Sequence, residues 1–207
     1  MSSSINAWDE IFKQRSMVFP EPHEDMPGIV KLLKGRGAST VLDLGSGTGR
    51  HVVYLAKNGF SVYGLDSSSV GVKATRQWLK NEGLKADLKL GSMTEQLPYA
   101  DAFFNAVISV QVLHHANSST IVKVVGEITR VLNRDGLIFI TVPKLKNQGD
   151  SFEQVEPNTF IPLDGPEKGI LHHYFTSEEL REVFVDFDIK DIHLDTVNHY
   201  CLLAFKQ

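Results

Sequence analysis

The sequence predicts an α/β fold built on a mainly parallel sheet, and three observations carry that prediction. Between residues 40 and 142, short apolar runs alternate with segments of helical period, the order that builds βαβ units. The first run, Thr40-Val41-Leu42-Asp43-Leu44, passes into Gly45-Ser46-Gly47-Thr48-Gly49, a turn bare enough for a ligand to lie against its backbone. The first two runs each carry an acid at or next to the end, Asp43 in one and Asp66 in the other.

Each element follows in order. Residues 40–44 read as a buried strand, and the segment after Gly49 as a helix whose unpaired N–H groups face the turn. The glycines fall at Gly45, Gly47 and Gly49, not in the G-x-G-x-x-G spacing of a dinucleotide turn, which disfavours a nicotinamide oxidoreductase. A phosphate loop would end in Gly-Lys-Ser/Thr, where this chain has Arg50-His51. Asp43, ahead of the turn, disfavours a phosphate and favours a cationic ligand group. The second strand, residues 61–66, ends in Asp66, where the acid of a βαβ unit meets ribose hydroxyls. Asp66 or Ser67 could instead cap the next helix. Residues 87–90 form a third strand, and 106–110 a fourth whose unbroken apolar character suits a sheet covered on both faces. A helix over 118–132 buries Ile121, Val124, Val125, Ile128, Val131 and Leu132. Residues 133–136 turn the chain with Gly136 left-handed, and 137–142 make a fifth strand stopped by Pro143. Thr176 or Ser177 caps a helix to about Phe184, with Glu179 answering as in a capping box. Residues 187–195 and 199–205 read as two last strands joined by Thr196-Val197-Asn198.

The Asp43-to-Gly49 pattern resembles motif I of the class I S-adenosylmethionine-dependent methyltransferases. The later segments resemble that family in order over roughly residues 38–206, in the manner of its small type 11-like members of the ubiquinone/menaquinone and tellurite-resistance kinds. The resemblance implies a Rossmann-like, seven-stranded, mostly parallel sheet of order 3-2-1-4-5-7-6, strand 7 antiparallel, between two layers of helices. It implies S-adenosylmethionine as cofactor and S-adenosylhomocysteine as product. Asp43 then serves the methionine end, which carries an ammonium. Gly45, Ser46, Gly47 and Gly49 line the cofactor, and Asp66 with Ser67 meets the ribose. Ser92 and Met93 bracket the adenine, although Ser92 stands where an acid is common; a polar turn with a core methionine reads equally well. Gln111, past the end of the fourth strand, is placed to touch cofactor or substrate. No Asn-Pro-Pro-Tyr follows that strand, which argues against methylation of DNA amines or glutamine.

The rest bounds the partners. At 207 residues and 42% hydrophobic content, one domain is expected. Its parts are a helical N-terminal lid (1–37), a cofactor-binding core (38–142), a substrate or lid insert (143–175) and a C-terminal helix with a β-hairpin (176–207). The insert, rich in Pro, Gly and Asn, reads as a long structureless loop. Trp8, Ile11 and Phe12 recur at helical spacing, whereas Arg15, Phe19 and Tyr174 are candidates for the substrate and lid contacts. A net charge of −4 without a basic tract favours a small-molecule acceptor over a nucleic acid or a protein. The lone Cys201 reads as a core residue, and the absence of leader-like or membrane-spanning runs suits a cytoplasmic chain. His114, His172 and His173 are candidates for a catalytic base, with packing or lid anchoring as the alternative. No metal is expected, because adjacent histidines do not share one face of a strand. Methyl transfer proceeds by in-line displacement on this reading; a sensor that binds the cofactor without turnover is the alternative.

Overall fold

The computed structural model describes residues 3–15, 20–146 and 151–207. Two helices, α1 (Ser3–Arg15) and α2 (Met26–Gly35), precede the alternating core: β1 (Thr40–Leu44), α3 (Arg50–Lys57), β2 (Ser61–Asp66), α4 (Ser69–Asn81), β3 (Asp87–Leu90), β4 (Phe104–Val110), α5 (Ser118–Val131) and β5 (Leu132–Pro143). A three-stranded unit follows, β6 (Phe152–Glu156), β7 (Thr159–Pro162) and β8 (His172–His173), then α6 (Ser177–Val183), β9 (Phe187–Leu194) and β10 (His199–Lys206).

The main sheet runs β3-β2-β1-β4-β5-β10-β9, with β10 antiparallel to both its neighbours. That is the order expected of the seven strands. Successive residues of a strand face opposite sides, so a sheet covered on both faces needs apolar residues at every position. Leu42, Leu44, Val107, Ile138 and Ile140 accordingly join one core with α5 and α6. Val41, Ala106, Ile108, Leu137 and Phe139 join the other with α2, α3 and α4. Each such fully buried Val, Leu, Ile or Phe contributes about 1.5–3 kcal/mol. At the lower end of the sheet, Asn105 Oδ1 accepts from the backbone N–H groups of Ser39 and Thr40 and clamps the start of β1.

Three local expectations are corrected. Residues 133–136 are the first part of β5 and not a turn ahead of it, and the left-handed residue among them is Asp135 (φ 58), not Gly136. Gly136 is small for a different reason: a Cβ there would lie 2.6 Å from Leu132 Cγ. Thr176 caps α6 by accepting from Glu179 N, but the Glu179 carboxylate does not answer the cap; it faces His173 Nε2 at 2.7 Å. The insert is not structureless. It folds into the antiparallel order β6-β7-β8, turned at Pro157-Asn158 with Asn158 left-handed (φ 59). The small sheet is tied to the body where His173 N donates to His114 O (2.8 Å) and Phe175 N to Pro143 O (2.9 Å).

Candidate active site

The turn after β1 shows why its three glycines stand where they do. Gly45, Gly47 and Gly49 have φ of 77°, 52° and 96°, the left-handed region that a side chain resists. Space is also closed at the first and the third. A Cβ on Gly45 would come within 2.3 Å of Val112, and one on Gly49 within 2.6 Å of Thr75. The loop is hung from β2, since Gly45 N and Ser46 N both donate to Leu65 O. It is held to α4 by Thr75 Oγ1, which donates to Gly47 O at 3.1 Å.

Both acids lie under this loop. Asp43 is buried (1% exposed), and its Oδ2 has no hydrogen-bond partner. Burial pushes its carboxyl up to about 7, against the pull of Arg50 and the Val52 N–H at the start of α3. Ser46 Oγ is likewise buried without a partner. Two orphaned polar atoms beneath bare backbone are what a polar ligand would satisfy. Asp66 Oδ2 accepts from Gly47 N (2.7 Å) and Oδ1 from Ser68 N (2.8 Å), which leaves further lone pairs on both oxygens. Desolvation raises its pKa, and those two N–H groups oppose the rise. Neither Asp66 nor Ser67 caps α4; Ser68 does, accepting from Gly71 N. Ser67 sits half-buried in the bend.

Helix α1 lies over the loop. Asp9 accepts from Ser68 Oγ (2.5 Å), Ser69 Oγ (3.1 Å) and Val70 N (3.2 Å), a second cap on α4 supplied from a distant helix. Phe12 Cζ stands 3.6 Å from a Cβ placed on Gly47, and Trp8 meets the His115 ring edge-on at 4.7 Å. Arg15 ends α1, and Phe19 lies outside the described residues. Asp9, Thr75 and Val112 had no local signal in the sequence, because each reaches the loop from an element whose position only packing sets.

In the turn after β3, Ser92 Oγ accepts from Thr94 N (3.2 Å) and contacts Thr94 Oγ1 (2.8 Å), while Met93 packs half-buried against the core. Gln111 leaves β4 in a left-handed conformation (φ 59), rare for a residue with a side chain and typical of functional sites. Thr141 holds it there: Gln111 N and Nε2 both donate to Thr141 Oγ1, at 3.1 and 3.0 Å.

The histidines divide into two groups. His173 has both ring nitrogens engaged, Nδ1 with Thr159 Oγ1 and Nε2 with Glu179, each at 2.7 Å, and it anchors the small sheet. His114 and His115 lie in a turn beyond the end of β4, so the face rule for strands does not separate them. Their ring centroids are 3.8 Å apart, and His172 joins them at 5.4 and 4.7 Å. Tyr174 is buried and stacks on His172 at 6.3 Å. Cys201 is buried in the other core; burial and the nearby Asp25 and Asp195 carboxylates raise its thiol, so it packs rather than reacts.

Burial makes this region pH-sensitive. Desolvation holds His51 and His114 well below the usual imidazole range and His115 at about 4. The unfolded chain takes up protons at these positions below about pH 6.5, whereas the folded chain does not, so their stability is lost as pH falls from there. Asp43 and Asp66, both raised, act in the opposite direction, keeping a proton that the unfolded chain releases. Three rings outweigh two carboxyls, and stability should fall by about 1–2 kcal/mol per pH unit from pH 6.5 towards 5. Denaturant titrations at pH 7 and 5.5 measure this; equal free energies would contradict it.

Comparison with known proteins fits this geometry. Residues 41–136 match the methyltransferase domain family. A phosphoethanolamine N-methyltransferase of Triticum aestivum is 29% identical over 144 residues, covering 66% of this chain and 28% of that protein. A glycine/sarcosine/dimethylglycine N-methyltransferase of Actinopolyspora halophila is 36% identical over 106 residues, covering 50% of this chain and 18% of that protein. The chain thus spans less than a third of the length of either relative. In fold, it matches the 1,6-didemethyltoxoflavin-N1-methyltransferase of Burkholderia thailandensis, solved with S-adenosylhomocysteine, at TM-score 0.74 and 18% identity over 99% of this chain and 88% of that one. No helix among the described residues is long and apolar enough to cross a membrane. With the domain match, the strand order and the glycine loop between its two acids in agreement, residues 41–136 carry a methyltransferase domain and the chain has the fold of the S-adenosylmethionine-dependent methyltransferases.

Proposed function

We propose that this chain transfers the methyl group of S-adenosylmethionine to a small-molecule acceptor. The carrying observation is the pair of orphaned atoms, Asp43 Oδ2 and Ser46 Oγ, set under three left-handed glycines with Asp66 beside them. A phosphate would meet Asp43 unfavourably, whereas an ammonium would replace the solvation that burial removes and return the carboxyl to its ionised form. Asp66 accepts from ribose hydroxyls with its remaining lone pairs, and Gly45, Gly47 and Gly49 keep the backbone clear. Ser67, Ser92, Met93 and Gln111 complete the lining towards the adenosine and the acceptor. When bound, the cofactor supplies a sulfonium-activated methyl group. The protein's part is to align the acceptor for in-line displacement and keep water out, a contribution of several kcal/mol from orientation alone. Trp8 and Phe12 of the 1–37 lid cover the site from one side, and the 143–175 insert bounds it with Tyr174 from another. His173, bound at both nitrogens, positions the insert and is not the base.

The two curated relatives are named for small amine substrates, and the chain's net charge of −4 gives no overall attraction for a polyanion. Both favour a small acceptor over RNA. Calorimetry with S-adenosylmethionine, S-adenosylhomocysteine and NAD+ tests the cofactor. A panel of small amines, phenols and thiols, read by S-adenosylhomocysteine release, then tests the reaction. Binding of neither sulfur ligand would refute the proposal. Tight binding with no turnover on small acceptors, RNA or protein would instead favour the sensor reading.

A further inference from the structure

We infer that His114, His115 and His172, with the Glu167 carboxylate beside them, form a binding site for one first-row divalent transition-metal ion of the Zn2+ or Co2+ kind. Each ring offers a nitrogen, and the three nitrogens lie within 4.8 Å of one another. Donors around a tetrahedral zinc stand about 3.4 Å apart at metal–nitrogen distances of about 2.1 Å, so modest ring rotation closes the set.

The hydrogen bonds around the rings already have the form of a metal centre's outer contacts. His115 Nδ1 faces the Leu171 carbonyl at 3.2 Å. A carbonyl only accepts, so that nitrogen carries the proton and Nε2 keeps its lone pair. His172 repeats the pattern, with Nδ1 on the Ile170 carbonyl at 2.8 Å. Its Nε2 stands 2.7 Å from Glu167 Oε2, a hydrogen bond in which the ring donates and whose proton the ion would displace. The third ring supplies the independent sign: His114 is 4% exposed and its Nδ1 has no partner. Three imidazoles and a carboxylate match the donor preferences of zinc, cobalt and their neighbours and not those of magnesium or calcium. The position suits an acceptor-side ion. Trp8 touches His115 and, at 6.0 Å, Phe12, which lies on the glycine loop, so the cluster is one side chain removed from the cofactor cradle. With Glu167 displaced from the ion, the vacated position would take an oxygen, nitrogen or sulfur atom of an acceptor.

A second group of potential ligands, His23, Asp25, His193, Asp195 and Cys201, is internally paired. His23 Nδ1 accepts from Asp25 N, and its Nε2–H faces Asp195 Oδ2 at 3.3 Å. That group serves as the control. Tag-free protein stripped with a chelator is titrated with Zn2+ by calorimetry and with Co2+ by visible absorption. One equivalent should bind with cobalt bands of nitrogen-rich, low-coordinate geometry. His115→Gln and His172→Gln should each weaken binding at least about tenfold, and Glu167→Gln, a side chain 40% exposed and tolerant of change, by a smaller factor. Cys201→Ser should bind as the parent does. S-adenosylhomocysteine affinity, measured on every variant, separates loss of the ion from loss of the fold, and it does not depend on whether any acceptor is turned over. Absence of stoichiometric uptake, uptake unchanged in the His115→Gln/His172→Gln double variant, or uptake lost in Cys201→Ser would each overturn the inference.

Discussion

Asp66→Ala should weaken S-adenosylhomocysteine binding by about 10²–10³-fold, the largest effect expected of any single change here. The carboxylate is 8% exposed, accepts from Gly47 N and Ser68 N, and on the proposed reading accepts from ribose hydroxyls as well. Hydrogen bonds to a charged group are worth about 1.5–3 kcal/mol each, and every 1.4 kcal/mol is tenfold in affinity. Alanine removes the ribose acceptor and frees two backbone donors, so the loop that should receive the ligand also loses one of its ties to β2. Asp66→Asn keeps one acceptor oxygen and should fall between, near tenfold. Calorimetry on both variants, with thermal melts to confirm folding, decides the matter. A folded Asp66→Ala protein that binds with parental affinity would remove Asp66 from the site.

Gly45→Ala should destabilise the protein by about 3 kcal/mol, from about 1–2 for a left-handed alanine and the remainder from overpacking. The residue sits at φ 77°, and the new Cβ would meet Val112 Cγ2 at 2.3 Å and its Cβ at 2.8 Å, closer than a side-chain rotation can relieve. For a chain of this size that corresponds to a fall in melting temperature of about 6–12 °C. Val112→Ala removes the two methyl groups in the way without changing the backbone. The double variant should therefore recover about 1–2 kcal/mol relative to the sum of the singles, and strictly additive losses would show that Val112 is not the obstacle. The same contact ties the glycine loop to the turn that carries His114 and His115, so Gly45→Ala should also weaken cofactor binding.

The strands of the sheet were legible because a sheet buried on both faces leaves an unbroken apolar run, as in Val107-Ile108 and Ile138-Phe139-Ile140, each 0–1% exposed. The glycine loop was legible because few residues besides glycine tolerate φ above zero, and Asp43 and Asp66 because acids seldom sit at buried strand ends without a ligand to meet. The small sheet of the insert is not legible in the sequence because its strands are two to five residues long and its Pro, Gly and Asn resemble loop composition. Gly136 and Asp135 exchange roles because Asp tolerates the left-handed conformation early in β5, while Leu132 claims the space that Gly136 leaves.

What the chain determined by itself, then, is the cofactor half: a strand, a bare turn and two acids whose chemistry is local, because every part lies within some 25 residues and each position has one conformational or electrostatic demand. The histidine side, proposed above to face the acceptor, was decided by tertiary structure. His172 reaches His114 and His115 only because β8 folds back onto the turn after β4, and Asp9 reaches Ser68 only because α1 crosses α4. Such contacts join residues 57 or more positions apart, and no periodicity in the sequence records them, since each is set by how whole elements pack rather than by the residues that meet.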